Sequence, residues 1–406
     1  MSKNSTQVKI SETSVPVVIL KLEHHLAIGI VRSLGRMGVP IYGVDPSRWS
    51  PSLHSRYCCE KFVWDVDNAK PEATVQYLLD VGKNIGKRAI LISTNDETSI
   101  FLAQYAAVLS QWFIYPQQSP QLARALVSKK EMYFLAKKHN IPTAETMFPQ
   151  SRKDLEKYLD NAVFPIMLKG IDGKLSVERS GEKMFILKSR EEVLECYDKY
   201  EDPFNPVFML QEYIPGGEDS VWMFNGYFNE QSDCLFAITG KKIRLAPVYT
   251  GYTSLGICIK NDTVVETTKR FMKEIGYKGI LDIGYRYDSR DGQYKVLDIN
   301  PRIGATFRLF VSDNGLDVAR VQYLDLTGQS VPTSNIIEGR KWWVEDRDII
   351  SSFHYFRDKK LKIGEWIKSF HGVQESAWFA WDDIIPFFIM CFGYLRKIFS
   401  RRNHHG

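Results

Sequence analysis

The sequence predicts a layered α/β domain first and a mixed α+β half after it, with a largely antiparallel sheet. Three observations carry that expectation. PVVIL (16–20) reads as a buried strand, and apolar residues at helical spacing follow it: Leu26, Ile28, Ile30, Val31 and Leu34. Gly38 closes the helix and PIYGVD (40–45) is the next strand, so the order strand–helix–strand implies a parallel sheet. Far along the chain, two runs of strand character flank Ser289-Arg290-Asp291-Gly292, and Asp-Gly between alternating runs is a strong hairpin signal. The length, 406 residues, allows two to four domains at roughly 100–200 residues each.

In chain order, RAILIS (88–93) is another strand and ends in Thr94-Asn95-Asp96-Glu97, with helical segments around 72–86 and 97–109. The first strand is followed by Lys21-Leu22-Glu23-His24-His25, without the glycine fingerprint of a dinucleotide-binding turn. His24 and His25 read as turn residues or as ligand contacts. A helix over 122–140 carries Lys129 and Lys130, and Ile141-Pro142 ends it. FPIMLK (164–169) is a strand with Lys169 at its end. Gly170–Lys183 is glycine-bearing, polar and poorly periodic, which predicts a mobile loop. Next come a strand MFIL (184–187), a helix near 189–200, and PVFMLQEYIPGGEDSVW (206–222), read as strand, turn and strand. Further strands fill 234–258, where Lys242 and Arg244 alternate onto one face, and a helix over 264–276 precedes the hairpin. Residues 335–406 form a tryptophan-rich tail.

Composition is ordinary for a soluble globular chain, at 44% hydrophobic and 25% charged. A net charge of +5 permits anionic ligands without demanding nucleic acid, and no nucleic-acid motif is present. Six cysteines without a Cys-x-x-Cys spacing fit a reducing compartment. The polar start MSKNSTQVKISETS has no apolar signal core, so a cytoplasmic location is expected. IIPFFIMCFGYL (384–395) falls short of the roughly 20 residues that span a bilayer. With Arg396, Lys397, Arg401 and Arg402 after it, the stretch 378–402 reads either as a segment lying on an anionic membrane face or as a helix packed on its own domain. Oligomeric state is not legible.

The chemistry concentrates in the hairpin. Asp298 and Asn300 share one face of the second strand, while Asp282, Gly284 and Arg286 share one side of the first. Arg302 follows Pro301 just beyond. Oxygen ligands on one sheet face suit Mg²⁺, which takes one or two protein carboxylates and fills its shell with phosphates. A guanidinium alongside suits phosphate or carboxylate. Turn chemistry is the plainer reading of Asp-x-Asn at a strand end. Cations at Lys129, Lys169, Lys242 and Arg244 and acids at Glu212, Glu218 and Asp219 complete an ordered series.

That series resembles the ATP-grasp superfamily, in its carboxylate–amine ligase branch, from about 16 to 330. The resemblance implies an α/β, Rossmann-like pre-ATP-grasp domain (1–120), then a two-lobed α+β ATP-grasp fold (121–330, lobes meeting near 209–210), then a helical tail module (331–406). Lys129, in SKKEMYFLAKKHNIPTAET, matches the first nucleotide lysine, eleven residues before a position usually held by glycine and here Asn140. Lys169 in FPIMLKG matches the phosphate lysine, and Gly170–Lys183 the loop that folds over the phosphates. Gln211, Glu212, Tyr213 and Ile214 resemble the strand whose backbone reads adenine; Glu218 or Asp219 resembles the ribose acid; Lys183 and Lys242 join the nucleotide set. Asp298-Ile299-Asn300-Pro301-Arg302 is similar to the family's acid-x-Asn-Pro-Arg. The resemblance gives Lys169, Asn300 and Arg302 catalytic roles and makes Asp282, Asp298 and Asn300 the metal ligands. One departure stands out: the usual metal-binding acid on the preceding strand aligns with Gly284, and Asp282 lies two residues earlier.

The implied activity is ATP-dependent joining of a small-molecule carboxylate to an amine, with Mg²⁺ (or Mn²⁺). Other implied readings are a nucleotide-binding sensor or scaffold without turnover, and a related phosphoryl-transfer or carboxylation enzyme. His24, His25, Asp96, Tyr249 and Arg308 are candidates for the acceptor pocket.

Overall fold

The structure, a computed structural model, describes residues 7–402; Glu23, Asp172, Pro203, Tyr249, Thr250 and the side chains of Lys174, Glu218 and 397–402 lie outside the description. Strands β1 (Val17–Leu20), β2 (Ile41–Asp45), β3 (Cys58–Val63), β4 (Ala89–Ser93) and β5 (Phe113–Ile114) form one sheet in the order β3-β2-β1-β4-β5. Its pairs are all parallel. The four residues of β1 are fully buried, as befits a strand covered by helices on both faces. Helices α1 (His25–Gly35), α2 (Pro71–Ile85), α3 (Asp96–Gln104) and α4 (Ala106–Leu109) supply the cover. The single helix expected over 97–109 is broken at Tyr105 into α3 and α4. The Asn95 side chain caps α3 by accepting from the Thr98 N–H. Chain order reverses where β1 meets β4, and in such sheets ligands bind beyond the carboxyl ends of the strands at that point.

The second sheet is antiparallel: β6 (Thr146–Met147), β7 (Ile166–Gly170), β8 (Met184–Leu187) and β9 (Phe208–Glu212), in the order β6-β9-β7-β8. It is accompanied by α5 (Pro120–Val127), α6 (Lys129–Lys138), α7 (Arg152–Leu159), α8 (Gly173–Ser180) and α9 (Arg190–Tyr200). The helix expected over 122–140 is two helices, because the Ser128 hydroxyl accepts from the Glu131 N–H and starts α6 afresh. Asn140 follows α6 with φ of 53°, the left-handed region that glycine and then asparagine tolerate best. The mobile loop expected over 170–183 is corrected to the helix α8. No Gly or Pro interrupts Lys174–Ser180, and Gly181, at φ 76°, closes the helix with its N–H on the Val177 carbonyl at 2.8 Å.

The third sheet contains β10 (Val221–Phe228), β11 (Cys234–Ala246), β12 (Tyr252–Cys258), β13 (Gly279–Asp288), β14 (Gln293–Asn300), β15 (Lys341–Trp343) and β16 (Val373–Ser376), ordered β14-β13-β10-β11-β12-β15-β16. The expected hairpin turn falls at 289–292, with Gly292 at φ 72°. Helices α10 (Asp262–Glu274), α11 (Val318–Leu326), α12 (Glu345–Arg357), α13 (Ile363–Ser369) and α14 (Ile385–Arg402) complete the chain. Among the described residues no helix is long and apolar enough to cross a membrane.

Contacts divide the chain into two units. Residues up to Pro120, Trp222–Asp282 and those from Asn300 onward make the first; Gln121–Val221 with Ile283–Ile299 make the second. The first unit's core joins Ile28, Val31 and Leu34 of α1 to Phe307, Val321 and Trp342. The second unit's core holds Leu155, Ile166, Leu168, Val193 and Leu210.

Strict alternation fails on β11. Its register against β12 slips between Lys242 and Arg244, so the two do not present a shared cationic face. Arg244 is buried and bidentate on Asp348 of α12, at 2.8 Å for each bond, with Ser369 Oγ accepting a third at 2.6 Å. Breaking such a pair strands a buried charge. Asp348→Ala should therefore cost about 3–5 kcal/mol in chemical denaturation; a loss below about 1 kcal/mol would mean Arg244 finds solvent or another partner.

Candidate active site

The second unit gathers Lys129, Lys169 and Asp298. Lys169 sits on β7, opposite Met184 of β8 and Met209 of β9. Burial pushes its ammonium below the ordinary lysine range, and the Asp298 carboxylate pulls it back up. The chain holds Asp298 there through an absence. A β-carbon added at Gly284 would stand 2.4 Å from Asp298 Oδ1, so any side chain at 284 excludes the carboxylate from its present place. Gly284 is thus a seat for the neighbouring acid. Lys129, first residue of α6, donates from Nζ to the Gly170 carbonyl at 2.8 Å. A β-carbon on Gly173 would lie 3.7 Å from the same Nζ. Both lysines therefore meet at the end of β7, where α8 begins.

Gln211 and Glu212 end β9. Glu212 accepts from Lys295 Nζ at 2.8 Å, Arg290 Nη2 at 3.0 Å and the Glu145 N–H at 3.0 Å. Its carboxylate is held by the fold, which leaves the role suggested for this stretch to the backbone of Gln211–Ile214. Lys295 and Arg290 also hold buried Asp288, whose carboxyl is pushed well below the usual range, first by the Arg290 hydrogen bond. Gly216 turns at φ 124°, and its carbonyl accepts from Arg286 Nη2 at 2.5 Å. Asp219 and Lys183 are exposed, and the side chain of Glu218 lies outside the described residues.

The first unit holds the remainder of the hairpin residues. Arg302 donates from Nε to Asp96 Oδ1 at 2.8 Å and from Nη2 to Asn300 Oδ1 at 3.1 Å. Asn300 Nδ2 reaches Asp282 Oδ2 at 3.3 Å. A β-carbon at Gly304 would be 2.4 Å from Asp282 Cγ, so this acid too rests where a side chain is missing. Asp96 opens α3 beyond the carboxyl end of β4, at the reversal in strand order. The network Asp96–Arg302–Asn300–Asp282 can take up an anion at the guanidinium and offers oxygen atoms to a hard cation. Lys242 lies half-buried on β11.

Two acceptor-pocket candidates are structural. His25 is buried, with ring centroids 5.6 Å from Trp342 and 6.1 Å from Trp378, and burial and then Arg347 push its pKa down to about 3. A neutral, apolar setting explains both, and its place at a strand end does not make it a ligand. Arg308 is buried, bidentate on Glu375 at 2.8 and 2.6 Å and paired with Asp317. Tyr249 lies outside the described residues. The seats at Gly284 and Gly304 escaped the sequence; their only trace was a glycine two residues after an acid and a glycine two residues after Arg302.

Because Asp298 favours the charged form of Lys169, its neutralisation has a definite sign. Asp298→Asn should lower the Lys169 titration midpoint further in an NMR titration of the lysine side chain. Gly284→Ala should move it the same way, and the double variant no further than Asp298→Asn alone. A midpoint that stays put, or rises, contradicts the pairing.

No family model matches the chain. Among curated proteins it is 28% identical over 243 residues to D-aspartate ligase of Enterococcus faecium, covering 58% of each chain. It is 22% identical over 212 residues to the arginine-specific large chain of carbamoyl phosphate synthase of Geobacillus stearothermophilus, covering 51% of this chain and 19% of that one. The matched stretch thus spans only part of either relative. Among solved structures, N5-carboxyaminoimidazole synthetase of Staphylococcus aureus, complexed with ADP, superposes with a TM-score of 0.64 at 14% identity, over 88% of this chain and 89% of that one. L-amino acid ligase of Bacillus licheniformis superposes with a TM-score of 0.59 at 13% identity, over 78% and 75%. These likenesses agree with the parallel sheet followed by the mixed sheets, and the chain has the ATP-grasp fold of the carboxylate–amine ligases.

Proposed function

We propose that the chain is an ATP-dependent ligase that joins a small-molecule carboxylate to an amine, in the cytoplasm, where ATP is supplied. The observation that carries this reading is the pairing of a half-buried lysine with an acid seated on a side-chain-free position, Lys169 with Asp298. Such a pair offers one positive group to phosphate oxygens and one oxygen donor to a metal. Lys129 adds a second cation beside the same strand end. Asp298 would offer its oxygen to Mg²⁺ from the second unit, and Asn300 and Asp282, in the first, are the further oxygen donors that the acid-x-Asn-Pro-Arg pattern suggests. When bound, that ion supplies charge neutralisation on the phosphates.

The first unit's network suits the other reactant. Arg302, flanked by Asn300 and anchored by Asp96, would grip the carboxylate or the phosphoryl group passing to it. A carboxylate oxygen attacks the γ-phosphorus of ATP, the bond to the bridging oxygen breaks, and ADP leaves. The acyl phosphate then meets a neutral amine, whose nitrogen bonds to the carbonyl carbon. Phosphate departs with the carbon–oxygen electron pair, and the proton on nitrogen passes to phosphate or solvent. The protein's share is positioning and electrostatics.

The E. faecium relative points to an acidic amino acid as the first carboxylate to try. Gly284 had left open a nucleotide-binding protein without turnover; since Asp298 fills the space there, the glycine no longer favours that reading.

The test is ADP release with D-aspartate, then pooled amino acids, against pooled amines, with mass spectrometry of the products. The expected result is ADP formed only with both substrates, an amide product, and one carboxylate ¹⁸O recovered in phosphate. Lys169→Met should lower kcat/KM by about 100-fold or more. ADP release that needs bicarbonate and no amino acid, or ¹⁸O absent from phosphate, would overturn the assignment.

A further inference from the structure

We propose that α12, α13 and α14 together form a docking face for an anionic lipid bilayer. The reading goes beyond the ligase reaction and does not depend on it.

Helix α14 is apolar on two sides. Its inner side, Pro386, Phe387, Met390 and Cys391, packs on the first unit's core or lies against it. Its outer side shows Ile385, Phe388, Phe392 and Leu395, spaced three, four and three residues apart and therefore on one stripe. Phe388 is 59% and Phe392 67% exposed, and Trp381, just ahead of the helix, is 88% exposed.

The stripe has neighbours. Tyr394 Oη donates to Asp346 Oδ2 of α12 at 2.5 Å. Three, four and seven residues beyond Asp346 come Ile349, Ile350 and Phe353, all exposed, so α12 continues apolar surface from the contact with α14. Helix α13 packs on α12 through the Trp366 and Phe356 rings, whose centroids are 6.2 Å apart, and exposes Ile363 and Ile367.

Charge chooses the occupant. The sequence of α14 contains no acid, and Arg396, Lys397, Arg401 and Arg402 follow its apolar stripe. Lys359, Lys360 and Lys362 lie exposed between α12 and α13. The nearby acids are already engaged: Asp346 by Trp378 and Tyr394, Asp348 by Arg244, Glu345 by the Trp378 and Phe379 N–H groups, Asp382 by Arg36 and Tyr57. Asp358 and Glu365 stay exposed beside these lysines, Asp358 paired with Arg357 and Glu365 accepting from the Lys362 N–H. With Lys359, Lys360, Lys362, Lys368 and Arg396 exposed as well, the face toward solvent is apolar with cations in excess. Two copies of this face would repel one another, whereas an anionic lipid surface attracts the cations and accepts the aromatic rings at its interface.

The experiment is flotation of the full chain with phosphatidylcholine vesicles, with and without phosphatidylglycerol, at low and high salt. Flotation should require phosphatidylglycerol and weaken with salt. Phe388→Glu combined with Phe392→Glu should weaken it about tenfold or more at an unchanged melting temperature, and Arg396→Glu with Lys397→Glu should remove the preference for phosphatidylglycerol. Failure to float with the anionic vesicles overturns the proposal, as does flotation that the Phe388/Phe392 variant leaves unchanged. Sedimentation velocity without lipid supplies the remaining arm: a dimer that the same variant dissociates, with no flotation, assigns the face to a second copy instead.

Discussion

Asp298 can stand beside Lys169 only because position 284 has no side chain. That is a steric constraint with an electrostatic outcome. An ammonium drawn partly out of water loses hydration that a nearby carboxylate must replace. Put any β-carbon at 284 and the carboxylate has to swing away, leaving the lysine with burial alone. The two residues come from different parts of the chain, β7 and β14, both within the second unit. Lys129 reinforces the same place by bonding the Gly170 carbonyl. Lys129 is thus held by a hydrogen bond and Asp298 by the packing at Gly284, the kind of pre-organisation that the proposed phosphate chemistry would use.

A second seat repeats the device. Gly304 accommodates Asp282, Asn300 ties Asp282 to Arg302, and Asp96 holds the guanidinium from the other side. Asp96 lies where the parallel sheet reverses its order, so the α/β domain contributes a group to the same hairpin that carries Asn300. The first 120 residues are thus tied to the far hairpin within one unit by the Arg302–Asp96 ion pair.

Much of this was legible. Buried apolar runs with helical spacing between them forced a parallel sheet, and Asp291-Gly292 fixed the hairpin turn to the residue. Asn140 was legible as the place of a glycine, and its positive φ gives the physical reason. Other features were hidden for identifiable causes. Helix α8 is short and polar, so its periodicity is too weak to stand out beside its flanking glycines. The bulge between Lys242 and Arg244 depends on how β11 meets β12, and one slipped residue turned an expected ligand cation into a buried partner of Asp348. His25 and Arg308 looked available because nothing local signals that Trp342, Trp378 and Glu375 cover them. The glycine seats are cross-strand and inter-segment contacts, which no single stretch of sequence displays.

The central claim is best tested by a crystal grown with Mn²⁺ and a non-hydrolysable ATP analogue, with the metal located by its anomalous signal. A manganese should lie about 2.1 Å from an Asp298 oxygen, with the Lys169 ammonium hydrogen-bonded to the phosphates. A bound nucleotide whose metal and phosphates touch neither residue would contradict it.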